Sequence, residues 1–367
     1  MERLASLVAD VAVRSAADVM VDVGAGQCHL SRVMAFRHGL RVVAIDGVAA
    51  LTAAATARTQ KLCELKRCDT CPALRPPMCV TAAAWTPEEL RLAVDEALGP
   101  SARPHRILFV CLHACGDLTP TVLRTFLDCA DAVAVVAVGC CYNLLTEVGT
   151  PQGQERAAAV SIMRHTSHAG LICDDGCDSE VAPAAEAVSE DTEPGFPMST
   201  ALAGHTLGRQ ARMLACQSAD RWRDADAALS WRRLAYRAAL EAVLLRFAPE
   251  ARGSPLRLGG TTCGMTTPFA VYARQALSSA GVECPGDADL EEMWAASLQT
   301  PAHLMGPFCA LRCVLAAPIE ALLVLDRVLY LRERLTGQGT AVWWLPVFDA
   351  RVSPRNIALV ALKDGAQ

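Results

Sequence analysis

Aromatic side chains are scarce in this chain, 5% of 367 residues, so a core of any size has to be assembled from aliphatic side chains. The length allows two or three domains and a substantial core. Long charge-free apolar runs are lacking too. The most apolar stretch, Pro307 to Leu331, is broken by Arg312, Glu320, Asp326 and Arg327, and the charge-free stretch Ala132 to Thr146 falls short of the roughly eighteen residues a span needs. No membrane partner is expected. Leu315, Ile319, Leu322, Leu323 and Leu329 read as the core-facing stripe of a helix, and the Val-rich stretch as a buried strand. With no secretory leader expected, the 17 cysteines are expected to stand reduced in an intracellular compartment, cytoplasmic or nuclear.

What is present begins with Asp22-Val23-Gly24-Ala25-Gly26, a glycine turn between the apolar run Val19 to Val21 and a helix-like segment from His29 to Phe36. Two nearby glycines let the backbone approach a ligand, and the following helix offers free N–H groups. A dinucleotide fingerprint needs a third glycine, and His29 fills that position, so NAD is disfavoured. Asp22, at the strand tip, is placed to receive a cationic, amino-acid-like ligand, which points to S-adenosylmethionine. The second apolar run, Arg41 to Ile45, ends in Asp46, followed by Gly47. A carboxylate at that tip can accept hydrogen bonds from both ribose hydroxyls of an adenosine. The candidate cofactor residues are Asp22, Gly24, Gly26, His29, Asp46 and Gly47.

Asp22 to Ser31, His113-Ala-Cys-Gly-Asp-Leu-Thr119, Gly139-Cys-Cys-Tyr142, Gly195-Phe-Pro-Met-Ser199, Leu325-Asp-Arg-Val-Leu-Tyr330 and Ser353-Pro-Arg-Asn356 occur in that order across nearly the whole chain. Together they resemble the eukaryotic methyltransferase-like proteins of the "25" group, one branch of which is named for a ribosomal RNA adenine dimethylase domain. The resemblance implies an α/β, Rossmann-like class I methyltransferase fold with a seven-stranded sheet. Gln27-Cys28 stands where relatives usually have Lys-Gly, so the turn lacks a glycine and a positive charge. The resemblance also implies a long N-terminal helical region, which is not expected within the few residues before the first strand.

Strands are expected at Val19 to Val23, Arg41 to Ile45, near Val80, Ile107 to Leu112 and Val133 to Val138. Helices are expected at Ala49 to Lys61, at Pro87 to Ala97 behind a Thr86/Glu89 capping box, and at Pro120 to Asp128 opened by Thr119. Such alternation predicts a mostly parallel sheet covered by helices. The domain reading is a cofactor-binding core over 1–172, an acidic flexible loop over 173–195, a mainly helical insertion over 196–338 and a closing β-hairpin over 339–367. The hairpin strands are expected at Ala341 to Phe348 and Asn356 to Leu362.

The candidate catalytic residues lie at the tips of the fourth and fifth strands: His113 and Asp117 as bases and Tyr142 to orient an acceptor. Their alternative roles are satisfying backbone groups, capping the next helix and core packing. Gly195 to Ser199 is expected to line the acceptor side. The Asn/Asp-Pro-Pro-Tyr tetrad of amino-nitrogen methylation is absent, so the acceptor is read only as macromolecular, RNA or protein, with no DNA expected. A non-catalytic methyltransferase-like binding protein and another Rossmann-type nucleotide enzyme are the alternatives. The net charge is −5, and setting aside the eight acids within 174–193 leaves +3. The arginines from Arg212 to Arg246 are read as a solvated helix face in preference to a phosphate-facing one. Cys63, Cys68, Cys71 and Cys79 have a zinc-like spacing only in part and are read as an ordinary loop, with no metal assigned.

Overall fold

The computed structural model describes residues 1–65, 76–82, 86–101, 103–147, 193–217, 224–249, 263–279, 281–298, 302–337, 339–353 and 355–363. The expected acidic loop therefore lies outside the described residues up to position 192, as do Cys68 and Cys71.

Seven strands form one sheet: β1 (Val19–Val23), β2 (Arg41–Asp46), β3 (Met78–Thr81), β4 (Ile107–Ala114), β5 (Ala132–Gly139), β6 (Ala341–Pro346) and β7 (Ile357–Leu362). Their order is β3-β2-β1-β4-β5-β7-β6. The pairs among β1 to β5 are parallel, and β7 runs antiparallel to both β5 and β6. This is the mostly parallel, Rossmann-like seven-stranded sheet, closed by a hairpin, that the resemblance implies. The chain order reverses between β1 and β4, so the loops leaving those strands diverge and open a crevice at their carboxyl ends.

The helices around this sheet are α1 (Glu2–Arg14), α2 (His29–His38), α3 (Ala49–Leu65), α4 (Pro87–Leu98) and α5 (Leu118–Asp128). The Thr86 capping box is present: Thr86 Oγ1 accepts from Glu89 N, and Glu89 Oε2 accepts from Thr86 N. Helix α1, absent from the elements expected above, carries Leu4, Val8 and Val11 at helical spacing. All three are buried against Met20, Val42, Leu108 and Val136 in the sheet core. Burial of each such side chain stabilises the fold by about 1.5–3 kcal/mol. Aliphatic residues dominate that core, as the shortage of aromatics requires.

Helix α5 begins earlier than expected. Asp117 occupies the N-cap position without a side-chain cap, while Thr119 Oγ1 donates to Ala114 O. Pro120 falls in the first turn, where a missing N–H costs no helical bond.

The chain divides into two compact units. The first comprises 1–159, 185–217 and 316–367, and so contains the whole sheet. It also contains the short helix α6 (Gly208–Leu214). The described part of the second lies within 218–315 and contains α7 (Asp224–Phe247), α8 (Phe269–Ser279) and α9 (Asp287–Leu298). Here four of the few aromatics gather: Tyr236 meets Phe269 edge-on at 5.2 Å and Trp294 at 4.7 Å, with Tyr272 alongside. Tyr236 buries its hydroxyl by donating to Thr267 O at 2.6 Å, and Arg232 donates to the same carbonyl at 2.8 Å. Arg232 is thereby partly committed to internal packing, and Arg212, in the first unit, is fully buried against Glu147. Neither belongs to the solvated arginine face expected from the sequence.

Helix α10 (Ala302–Arg334) includes the apolar stretch noted in the sequence, and its segment Gly306–Arg334 is long and apolar enough to cross a membrane. The core-facing stripe read through Leu315 needs correction: Leu323 is buried, but Leu315 is 43% exposed, together with Phe308, Leu311 and Val314. Apolar residues occupy every face of this helix, so spacing cannot select the buried one. The buried face includes a charged pair, Asp326 and Arg327, along with Val328 and Leu331.

Candidate active site

At the tip of β1 the backbone turns through Gly24 and Gly26, at φ +71° and +53°. A Cβ on Gly24 would press on Leu118, whereas one on Gly26 would meet nothing within 4 Å, so open space lies over the second glycine. Its positive φ and this open approach are what a turn contacting a ligand through its backbone requires. Asp46, at the tip of β2, accepts from Gly26 N at 2.8 Å and from Val48 N at 2.9 Å. It therefore fixes the turn from the neighbouring strand while its carboxylate retains acceptor capacity, because each oxygen carries more than one lone pair. Gly47 follows it, and a Cβ there would meet Ala82 O only at an ordinary 3.8 Å.

Asp22 lies beneath the turn, 2% exposed, and accepts from Ser31 Oγ. Burial, reinforced by the nearby Asp46 charge, pushes its pKa up to about 6 against the opposing pull of Ser31. His29 opens α2 on an exposed position, with Nδ1 3.2 Å from the Arg32 guanidinium. Desolvation first, then Arg32 and Arg58, lower its pKa. Asp22, Gly24, Gly26 and Asp46 thus stand together around one turn, with His29 at its rim.

Cys28 caps α2 in the left-handed conformation, φ 55°, a region in which a side chain costs about 1–2 kcal/mol. Its buried sulfur lies 3.6 Å from Cys79 Sγ on β3.

The tips of β4 and β5 are organised differently. His113 sits at an irregularity in β4 with φ 62° and is exposed. Desolvation lowers its pKa. Asp117 accepts from Thr146 N at 2.9 Å and from Thr146 Oγ1 at 2.8 Å, and Thr146 Oγ1 accepts in turn from Gly195 N. Tyr142 is buried, its hydroxyl 3.5 Å from Glu320, and burial raises its pKa well above the ordinary value. Glu320 is also bound by Arg355 at 2.8 Å. Tyr142 lines a cavity of about 30 Å³ with Cys140, Cys141, Thr119 and Arg327.

The motifs Gly195 to Ser199 and Leu325 to Tyr330 meet here. Asp326 accepts from Met198 N, Ser199 N and Ser199 Oγ, while Arg327 donates to Gly195 O at 3.1 Å. Sequence reasoning missed this buried pair. The signal available was its two adjacent charges inside an otherwise apolar run.

Comparison with known proteins fits this geometry. Residues 1–148 match the family model described as a methyltransferase domain. The chain is similar to "Probable methyltransferase-like protein 25" of Mus musculus, 30% identical over 259 residues, and to that of Homo sapiens, 29% over 262. Each match covers 70% of this chain but 37% of the relative, so the chain spans little more than a third of the length of these proteins.

Proposed function

We propose an S-adenosylmethionine-dependent methyltransferase acting on a macromolecular acceptor, RNA or protein; the match of residues 1–148 to a methyltransferase domain and the similarity to the methyltransferase-like 25 proteins support this reading. The observation that carries this reading is the open Gly26 turn, tied to the Asp46 carboxylate across the β1–β2 tips. An adenosine would lie over that turn with its ribose hydroxyls on Asp46, and its amino-acid end would be drawn toward the Asp22 carboxylate.

When bound, S-adenosylmethionine supplies an electrophilic methyl carbon. The protein then has to position a nucleophile in line with it and, where needed, take a proton. Among His113, Asp117 and Tyr142, His113 alone is exposed, so it is the group an acceptor reaches; Asp117 is engaged by Thr146, and Tyr142 shapes the wall. The setting proposed is an intracellular, reducing one, cytoplasmic or nuclear, with neither DNA nor membrane as substrate.

The test is calorimetric titration with S-adenosylmethionine and S-adenosylhomocysteine, with NAD and ATP as negative controls. Loss of one charge-assisted contact costs about 1.5–3 kcal/mol, so Asp46→Ala should weaken binding by about one to two decades. An Asp46→Ala protein that stays folded and binds as tightly as wild type overturns the adenosine assignment. Tritiated methyl transfer into fractionated RNA and protein identifies the acceptor. His113→Gln should lose transfer while keeping cofactor affinity.

A second reading, a methyltransferase-like protein that binds without catalysing, is favoured by one feature: Cys28, a side chain held in the left-handed conformation within the glycine turn. Binding of the cofactor with no transfer to any cellular fraction would support it.

A further inference from the structure

Three thiols meet where β4 and β5 end. Cys115 Sγ lies 3.1 Å from Cys140 Sγ and 3.2 Å from Cys141 Sγ, and the latter two are 3.5 Å apart. Among the described residues this is the group of Cys, His, Asp or Glu side chains whose ligand atoms converge closely enough to hold a metal.

The backbone brings this about. Gly116 N donates to Cys141 O at 3.3 Å, joining the two strand tips directly. Gly116 has φ +54°, and a Cβ there would stand 2.8 Å from Leu144 O. Only glycine lets the two loops approach this closely, and that approach is what sets Cys115 against the Cys140-Cys141 pair. Neutral thiols are weak donors and weak acceptors, so three of them facing one another gain little by hydrogen bonding. As thiolates around a cation, the same three are strong ligands.

We propose that Cys115, Cys140 and Cys141 form a binding site for a soft cation with a filled d shell, zinc being the ion of choice. Zinc–sulfur bonds of about 2.3 Å at tetrahedral angles place sulfurs about 3.8 Å apart. The triangle found here has to open by about half an ångström, within reach of small side-chain rotations. Binding one divalent ion forms three metal–sulfur bonds and releases three thiol protons, with no change of oxidation state. Cys140 is buried, while Cys115 and Cys141 are half-buried and give the ion a way in. Three protein ligands leave a fourth position open, the arrangement of exchangeable rather than purely structural zinc sites. This site is separate from the Gly26 turn and does not depend on the proposed methyl transfer.

The experiment uses the full chain, reduced with a phosphine, stripped with chelator and titrated with cobalt(II), then displaced with zinc(II). The expected result is a single bound cobalt with intense thiolate-to-metal charge-transfer absorption, lost as zinc enters. Cys115→Ser and Cys141→Ser change half-buried positions, and each should weaken binding by at least about tenfold. Circular dichroism and thermal unfolding verify that both variants remain folded. The double variant Cys68→Ser/Cys71→Ser should bind as wild type does. The proposal is overturned by absence of thiolate bands, or by bands that survive in Cys115→Ser and Cys141→Ser but vanish in the Cys68/Cys71 variant. A Cys115 disulfide with either neighbour that persists under the reductant also overturns it.

Discussion

The carboxylates at the tips of β1 and β2 work over short distances in the chain: Asp22 with Ser31, and Asp46 with Gly26 and Val48. Those around the tips of β4 and β5 work over long ones: Asp117 with Thr146, Glu147 with Leu207 and Gly208, and Asp326 with Met198 and Ser199. Both sets of tips face the same edge of one sheet. The β1–β2 tips are shaped around a glycine turn that follows Asp22 within a few residues, whereas the β4–β5 tips are tied to segments as far off as 195–208 and 326 by buried ions. A local turn can lose a ligand contact and keep its shape. A network of buried ions fails as a unit when one member is removed, because its partners are left charged or unsatisfied.

The widest separation between the two should appear with Asp326→Ala. It strands Arg327 and three donors in the interior and is expected to cost about 3–5 kcal/mol in denaturant unfolding. A loss below about 1 kcal/mol would remove the distinction between the two sides. Asp117→Asn is a milder probe on the same side. It weakens the Thr146 contacts and should lower stability by about 1–2 kcal/mol while leaving cofactor affinity unchanged within a few-fold. Loss of transfer at full stability would return Asp117 to the role of base.

At the tips of β1 and β2, pH is the sharper tool. As pH falls through about 6, Asp22 takes up a proton. A cationic ligand should then lose up to about tenfold in affinity per pH unit, and Asp22→Asn should flatten that profile. The sign for stability is opposite. A carboxyl whose folded pKa lies above its unfolded value favours the folded state more as pH drops from about 6 toward the ordinary value, so affinity and apo-protein stability should diverge. The smallest effect belongs to Cys28→Gly, where relief of left-handed strain is offset by lost burial of the thiol. Stability should change by less than about 1 kcal/mol, and cofactor affinity should rise severalfold. An unchanged affinity would show that the turn tolerates the side chain.

The same division explains what could be read from sequence. The glycine turn, the acid at the end of β2 and the Thr86-Pro87-Glu89 helix start are local signals, and the structure contains each at the expected residues. Asp117 shows where such reading stops. Its position suggested a helix cap or a base, but its partner is Thr146, which no spacing rule connects to it. The motifs at 195–199 and 325–330 stand out in the sequence, yet their mutual attachment is a tertiary fact. Cys115, Cys140 and Cys141 likewise look like buried apolar residues until two strands are laid side by side.

Strand β5 ends at Gly139, and its neighbour β7 does not begin until Ile357. The equilibrium price of this long detour is modest, because each doubling of a loop adds only about 0.6 kcal/mol to closure. Its effect on timing is larger. On a ribosome adding about 5–20 residues per second, β5 would wait roughly ten to forty seconds for the strand that covers its free edge. During that interval Ala134 to Ala137, destined to pair with β7, presents unpaired backbone on an apolar strand. The helical unit encoded in between can complete its own aromatic cluster first, so the nascent chain would carry a finished insertion while its sheet still lacks β6 and β7.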